Sequence, residues 1–258
     1  MNNIDKSATT RRKSVLGMGG GLLAAWLAGA KGSLAQNPVN TVGYALPQIA
    51  YGGGWNTTLY FANTSASAAT VMLYFFDQEG SPMQTPVAGK GISATHTVEL
   101  NPRATGIVEI ENVGDLRQGW VEAIVPEGVT GYGVFRQTAE GRADQEAVVP
   151  FVIESAMSAQ MVYDDQNFVT GLAIVNPSTT RAQVTIVAYN ASGAQTGNAT
   201  LSIPARGRTA ATLRELQGMA GVAGDRGWLS ITVTTGTLAV LGLRFGSAAF
   251  TSIPAVHK

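Results

Sequence analysis

One stretch of this chain is written twice. Trp55-Asn56-Thr57-Thr58-Leu59-Tyr60-Phe61-Ala62-Asn63-Thr64-Ser65 returns 113 residues later as Phe168-Val169-Thr170-Gly171-Leu172-Ala173-Ile174-Val175-Asn176-Pro177-Ser178, with Thr, Leu, Asn and Ser at the same places. The same offset carries Val71, Leu73 and Phe75 onto Val184, Ile186 and Ala188, Asp77 onto Asn190, and Gly80 onto Gly193. Beyond that point the offset shortens. Asn101-Pro102-Arg103 aligns with Ile203-Pro204-Ala205, Gly119-Trp120-Val121 with Gly227-Trp228-Leu229, and Gly133-Val134 with Gly242-Leu243. A chain that repeats a whole pattern of apolar and turn residues folds as copies of one unit. The shortened offset places an extra excursion in the first copy, around Pro82 to His96, expected as a loop or a lengthened hairpin.

Within each copy, short runs rich in Thr, Val, Ile and aromatics are punctuated by Asn, Gly, Pro and Ser, which is the signature of strands and turns. Seven strands are predicted per copy: 57–63, 70–77, 94–100, 105–110, 120–126, 130–136 and 146–151, then 169–176, 182–190, 198–203, 208–213, 228–234, 238–245 and 248–253. Asp77-Gln78-Glu79-Gly80 and Asn190-Ala191-Ser192-Gly193 read as hairpin loops with glycine where φ must be positive. Only Leu213 to Met219 has the look of a helical turn. The expected class is all-β, two tandem sandwiches over 40–151 and 157–256 joined by Glu154-Ser155-Ala156-Met157-Ser158.

Comparing the copies assigns faces. Leu59 and Phe61 keep apolar counterparts in Leu172 and Ile174, whereas Thr58 and Tyr60 face Gly171 and Ala173, so the first pair points into the core and the second outward. Trp120 and Trp228 share one position and are expected to share core packing. Tyr51, Trp55 and Tyr60 have the less aromatic counterparts Asp164, Phe168 and Ala173, so they are the candidate binding residues: rings with polar handles suit a sugar or a protein partner. Met72, Tyr74 and Phe76 make their strand apolar on both faces, and one face is a candidate seam between the copies.

The first 35 residues have a different character. Arg11-Arg12-Lys13 precede an apolar, glycine-rich stretch from Val15 to Ala30, and Ser33-Leu34-Ala35 puts small residues before a cut at Gln36, the three-part layout of a signal peptide. Thr10 to Leu16 resembles the twin-arginine export signal, with Ser14 where an aromatic is usual. The apolar stretch, 16 residues long, falls short of the roughly 20 that span a bilayer. The expectation is export to the periplasm or beyond with removal of residues 1–35, and no transmembrane span in the mature chain. That segment holds five of the seventeen bases and one of the seventeen acids, so the remainder carries twelve against sixteen, a net charge of −4. An acidic body of this kind has no electrostatic footprint for nucleic acid.

Chemistry is sparse. There is no cysteine, and His96 and His257 are the only histidines, which argues against thiolate sites, histidine metal sites and a Ser-His hydrolase. No Gly-x-Ser-x-Gly elbow, phosphate loop or calcium loop is present, and Gly52 to Gly54 lead into a strand without a following Lys-Ser/Thr. Asp164-Asp165 is the only adjacent acidic pair of the body, and Glu109 and Glu111 share one strand face. No catalytic residue, metal or cofactor is therefore assigned.

Three segments carry a resemblance: Gly52-Gly53-Gly54-Trp55-Asn56-Thr57-Thr58-Leu59, Phe75-Phe76-Asp77-Gln78-Glu79-Gly80-Ser81-Pro82, and Gly242-Leu243-Arg244-Phe245 with Ala249-Phe250-Thr251-Ser252-Ile253-Pro254. Together they resemble a repeat module of secreted bacterial proteins, of acidobacterial type. The resemblance implies immunoglobulin-like sandwiches outside the cytoplasm and carries no activity with it. The second copy departs from the pattern in lacking the triple glycine and Trp55. The leading functional expectation is a non-catalytic extracytoplasmic module that binds an envelope protein or glycan, or spaces something there. A polysaccharide hydrolase acting through carboxylates such as Asp164 or Asp165 is the alternative.

Overall fold

The computed structural model describes residues 40–246 and 249–258; the predicted signal segment lies outside the described residues. Those residues belong to one compact unit and are all-β, with 3-10 turns at Leu213–Glu215 and Ala220–Val222. The first half runs β1 (Thr41–Tyr51), β2 (Trp55–Asn63), β3 (Ala69–Phe76), β4 (Thr85–Val87), β5 (Gly91–Ser93), β6 (Thr95–Leu100), β7 (Thr105–Ile110), β8 (Arg117–Pro126), β9 (Val129–Gln137), β10 (Gln145–Pro150) and β11 (Val152–Ile153). The second runs β12 (Ser158–Asp164), β13 (Val169–Val175), β14 (Ala182–Asn190), β15 (Gln195–Ile203), β16 (Arg208–Thr212), β17 (Arg226–Thr235), β18 (Ala239–Phe245), β19 (Phe250–Ile253) and β20 (Val256–His257).

These strands form four antiparallel sheets in a propeller-like ring. Sheet A has the order β11-β1-β8-β3-β6 and sheet B the order β10-β9-β2-β7-β4-β5; sheet C has β15-β14-β17-β12-β20 and sheet D β16-β13-β18-β19. Sheet C is sheet A read strand for strand, and sheet D is sheet B without β4 and β5. The predicted excursion of the first copy is therefore that additional hairpin, β4 paired with β5.

The duplication extends to side-chain detail. Asn63 Nδ2 donates to the carbonyls of Ser67 and Asn101 at 2.7 and 3.0 Å, and its Oδ1 accepts from Ser65. Asn176 Nδ2 donates to Thr180 and Pro204 at 2.7 and 2.8 Å, and its Oδ1 accepts from Ser178. Each buried amide satisfies backbone groups that a strand end leaves unpaired. These bonds also correct the alignment by one residue: Asn101 matches Pro204, so Arg103 matches Arg206, and both arginines adopt positive φ, 58° and 56°. The two hairpins are built alike. Asp77 Oδ1 accepts from the amides of Glu79 and Ser81 and Asn190 Oδ1 from those of Ser192 and Ala194.

Two central strands escaped the sequence reading. β1 and β12 occupy the same place in their sheets, and β1 is buried without alternation from Ala45 to Tyr51, so it has no period-2 signal. Pro47, which speaks against a central strand, sits in a bulge where pairing with β8 slips between Leu46 and Ile49. The core is continuous across the halves. Ala173, Leu241, Leu243 and Phe250 of sheet D join the cluster of Leu46, Leu59, Phe61 and Phe75, while the other face of sheet D packs Leu172, Ile174 and Val240 against sheet C. Residues 154–158 are tied into the body: Leu238 N donates to Ala156 O and Met157 N to Lys258 O.

Candidate functional site

The three aromatics singled out from the sequence lie in three environments. Tyr51 is buried, its hydroxyl donating to Gln84 O at 2.7 Å, and desolvation raises its pKa. Trp55 faces the seam between the halves: it stacks on Phe135 at 5.7 Å and meets Phe250 of sheet D at 5.6 Å, beside a cavity of about 200 Å³ that Gln48, Arg208 and Leu243 also line. Tyr60 is the one that reaches an outer face, as the alternation of β2 requires. Leu59 and Phe61 on either side of it are buried.

Register then builds a surface around Tyr60. It pairs with Ile107 on β7 and with Tyr132 on β9, and Tyr132 pairs with Pro150 on β10, giving one row across four strands. The Tyr60 and Tyr132 rings stack at 5.2 Å. Ile107, Tyr132 and Val148 are 58%, 45% and 45% exposed. A groove of about 350 Å³ runs along this face, flanked by Thr105 and Thr130 and lined by no charged or amide side chain. Ile107 and Tyr132 were missed from the sequence, because only the register of β7 and β9 with β2 brings them beside Tyr60.

The seam shows how the fold itself uses such a face. Trp120, fully buried, stacks on Phe76 at 4.9 Å and donates from Nε1 to Arg206 O at 2.8 Å. The Arg206 guanidinium lies over Phe76 at 5.5 Å and contacts Glu122 at 2.7 Å. Of the apolar strand β3, then, Phe76 faces the seam, while Met72 is exposed. Arg208 is buried too; it donates to Pro47 O, at the bulge where β1 skips its pairing with β8, and to Gln48 Oε1. Desolvation lowers its pKa to about 10. Glu154 stands next to Glu122, and burial, then the Glu122 charge, push its pKa up to about 7 against the pull of Arg206.

Trp228 corrects an expectation. It stacks on Tyr189 at 4.7 Å as Trp120 does on Phe76, but it is 38% exposed instead of core. The position is equivalent and the surroundings are not: sheet D covers Trp120, and nothing in the described residues covers Trp228.

The acidic pair and the two histidines make contacts within the fold. Asp165 is buried, accepting from Thr170 N at 2.7 Å and Arg214 Nε at 2.6 Å. Asp164 accepts from the amides of Gln166 and Asn167 and lies 3.7 Å from Arg226. The two face different grooves. Asp164 is the one carboxylate lining a groove of about 520 Å³ with Arg226 and Arg244, whereas Asp165 lines another with Arg214. His96 packs edge-on against Phe75, and His257 Nε2 accepts from Val240 N at 2.9 Å, with burial lowering its pKa. Among the described residues no group of three or more His, Cys, Asp or Glu stands ready for a metal ion, and no helix is long and apolar enough to cross a membrane.

No family model, curated protein or solved structure matches this chain.

Proposed function

We propose that the chain is a non-catalytic extracytoplasmic module, exported behind a signal peptide over residues 1–35, that holds a protein partner at the cell envelope. In this reading 40–151 and 157–256 are tandem immunoglobulin-like sandwich repeats, supported by strand orders that match between the halves apart from the added β4–β5 hairpin. One observation carries the functional part: the outward row of Ile107, Tyr60 and Tyr132, exposed at Ile107 and Tyr132 and half-buried at Tyr60. Aromatic residues concentrate at the centres of protein interfaces, where their rings bury large area at little entropic cost. A glycan site needs polar groups converging on the ring hydroxyls. Here Thr105 and Thr130 are the only polar side chains beside the two tyrosines, and no charged or amide group lines the groove, which favours a protein.

A photo-cross-linking residue in place of Ile107 tests this in the producing cell, with Ile92, exposed on the β4–β5 hairpin, as the control position. Protein adducts are expected at 107, absent at 92, and lost when Tyr132→Ser is added. Equal labelling at both positions, or none at 107, overturns the reading.

A further inference from the structure

The partner of this face can be named from the chain's own seam. We infer that the chain docks head to tail on a second copy of itself, the Tyr189–Trp228 face of sheet C in one copy covering the Tyr60–Tyr132 face and Arg103 loop of the next. The inference rests on the reading of the Tyr60–Tyr132 face as a protein-binding surface.

Internally, the Trp120–Phe76 region of the outer face of sheet A is covered by Val175 and Ala239 of sheet D and by the Arg206 loop that leads into it, while Met72 on the same face stays exposed. Duplication makes sheet C the counterpart of A and sheet B the counterpart of D. The outer faces of C and B are therefore the two halves of the same contact, each left open. A contact between unlike surfaces of identical copies is heterologous and continues into a ring or a filament.

The unused halves are preserved in detail. Trp120 is fully buried and Trp228 is 38% exposed, though each stacks on the ring paired with it. Gly80 and Gly193 hold the same hairpin conformation, φ 86° and 84°. A Cβ on Gly80 would meet Ala205 O at 2.2 Å, while a Cβ on Gly193 would meet nothing within 4 Å. The first is pressed against the partner loop; the second lies open. On the opposite side, Arg206 and Arg103 share the left-handed backbone and the same bond, their amides donating to Ser178 O and Ser65 O. The Arg206 carbonyl receives Trp120 and its guanidinium covers Phe76, whereas Arg103 is exposed. Docking would give Trp228 the Arg103 carbonyl and Tyr189 the Arg103 guanidinium.

Several features of the seam are not duplicated: on the sheet B side Tyr60 and Tyr132 stand where Ala173 and Leu241 are buried. Ser230 stands where Glu122 would pair with the arginine, and Thr105 stands where Arg208 is buried. The intermolecular contact thus keeps the Tyr189–Trp228 stack and the left-handed Arg103 backbone, sets tyrosine rings where the internal seam has small or aliphatic side chains, and loses the ionic elements. Association is expected to be reversible and nearly insensitive to salt, because the ion pair that salt would screen is missing.

Sedimentation of the purified full chain over a range of concentrations tests this. The mass should rise with concentration in the unaltered chain. Trp228→Ser and Tyr132→Ser, both at exposed rings and each checked by circular dichroism for retained fold, should each weaken self-association at least about 30-fold, as for loss of an interface hot spot. An equimolar mixture of the two variants should form a dimer and grow no further, since each retains one intact face of opposite kind. Arg103→Gly, which keeps the positive φ, should behave as Tyr132→Ser does. A chain that stays monomeric, or variants that still self-associate, or a mixture that does not dimerise, overturns head-to-tail docking. If the chain is monomeric while position 107 still cross-links to a different protein, the self-docking inference falls and the protein-binding reading stands.

Discussion

Glu154→Gln should make the protein more stable in mild alkali and leave it unchanged in acid. The Glu154 carboxyl is half-buried beside Glu122, one of its oxygens has no hydrogen-bond partner, and its pKa is pushed from an ordinary 4.5 to about 7. A carboxyl with a raised folded pKa binds its proton more tightly in the folded chain than in the unfolded one. Its favourable contribution is complete below pH 4.5, falls while the unfolded chain has released its proton and the folded chain still holds it, and is gone once pH has passed about 7. The full shift would correspond to roughly 3 kcal/mol. Residual solvent contact screens part of it, leaving about 1–2 kcal/mol above pH 7. Urea unfolding of the wild type and Glu154→Gln at several pH values measures this directly. The variant should gain about 1–2 kcal/mol at about pH 8 and nothing at about pH 4. A difference that does not vary with pH, or one that is larger in acid, refutes the assignment of the strain to a charged Glu154.

Three further comparisons exploit the duplication, since each sets equivalent residues in different surroundings. Trp120→Ala should cost about 3–5 kcal/mol and Trp228→Ala about 1 kcal/mol in the isolated chain, read by denaturant midpoints, because only Trp120 is fully buried and bonded to Arg206 O. Gly193→Ala should cost about 1 kcal/mol from its positive φ alone, whereas Gly80→Ala should cost clearly more, since the new methyl would run into Ala205 O; equal losses in thermal unfolding would contradict the seam geometry. Asn176→Ala should destabilise by about 2–3 kcal/mol in urea unfolding, as it strands the carbonyls of Thr180 and Pro204. Asn63→Ala should cost about the same, because its bonds to Ser67 O and Asn101 O are alike.

Much of the architecture was legible in the chain because it is local. Alternation on β2 set Leu59 and Phe61 inward and Tyr60 outward, Asp77 to Gly80 and Asn190 to Gly193 specified two hairpins through their own backbone bonds, and the shift in offset exposed the extra β4–β5 hairpin. These features depend on neighbours within a few residues, so a linear reading reaches them. β1 was not reachable in this way, since burial on both faces removes periodicity and a bulge makes room for Pro47.

What the sequence alone determined is that one unit occurs twice, with matching strands and turns. What the tertiary structure decided is which copy of each equivalent residue is covered. Tyr51, Trp55 and Tyr60 are near in sequence and end in core, seam and open face. Trp120 and Trp228 match in sequence and in stacking, and only the first is covered by another sheet. Burial at a face is a property of what docks there, and docking joins residues a hundred positions apart; duplication repeats each half's pattern, but within one chain only one pair of complementary faces meets.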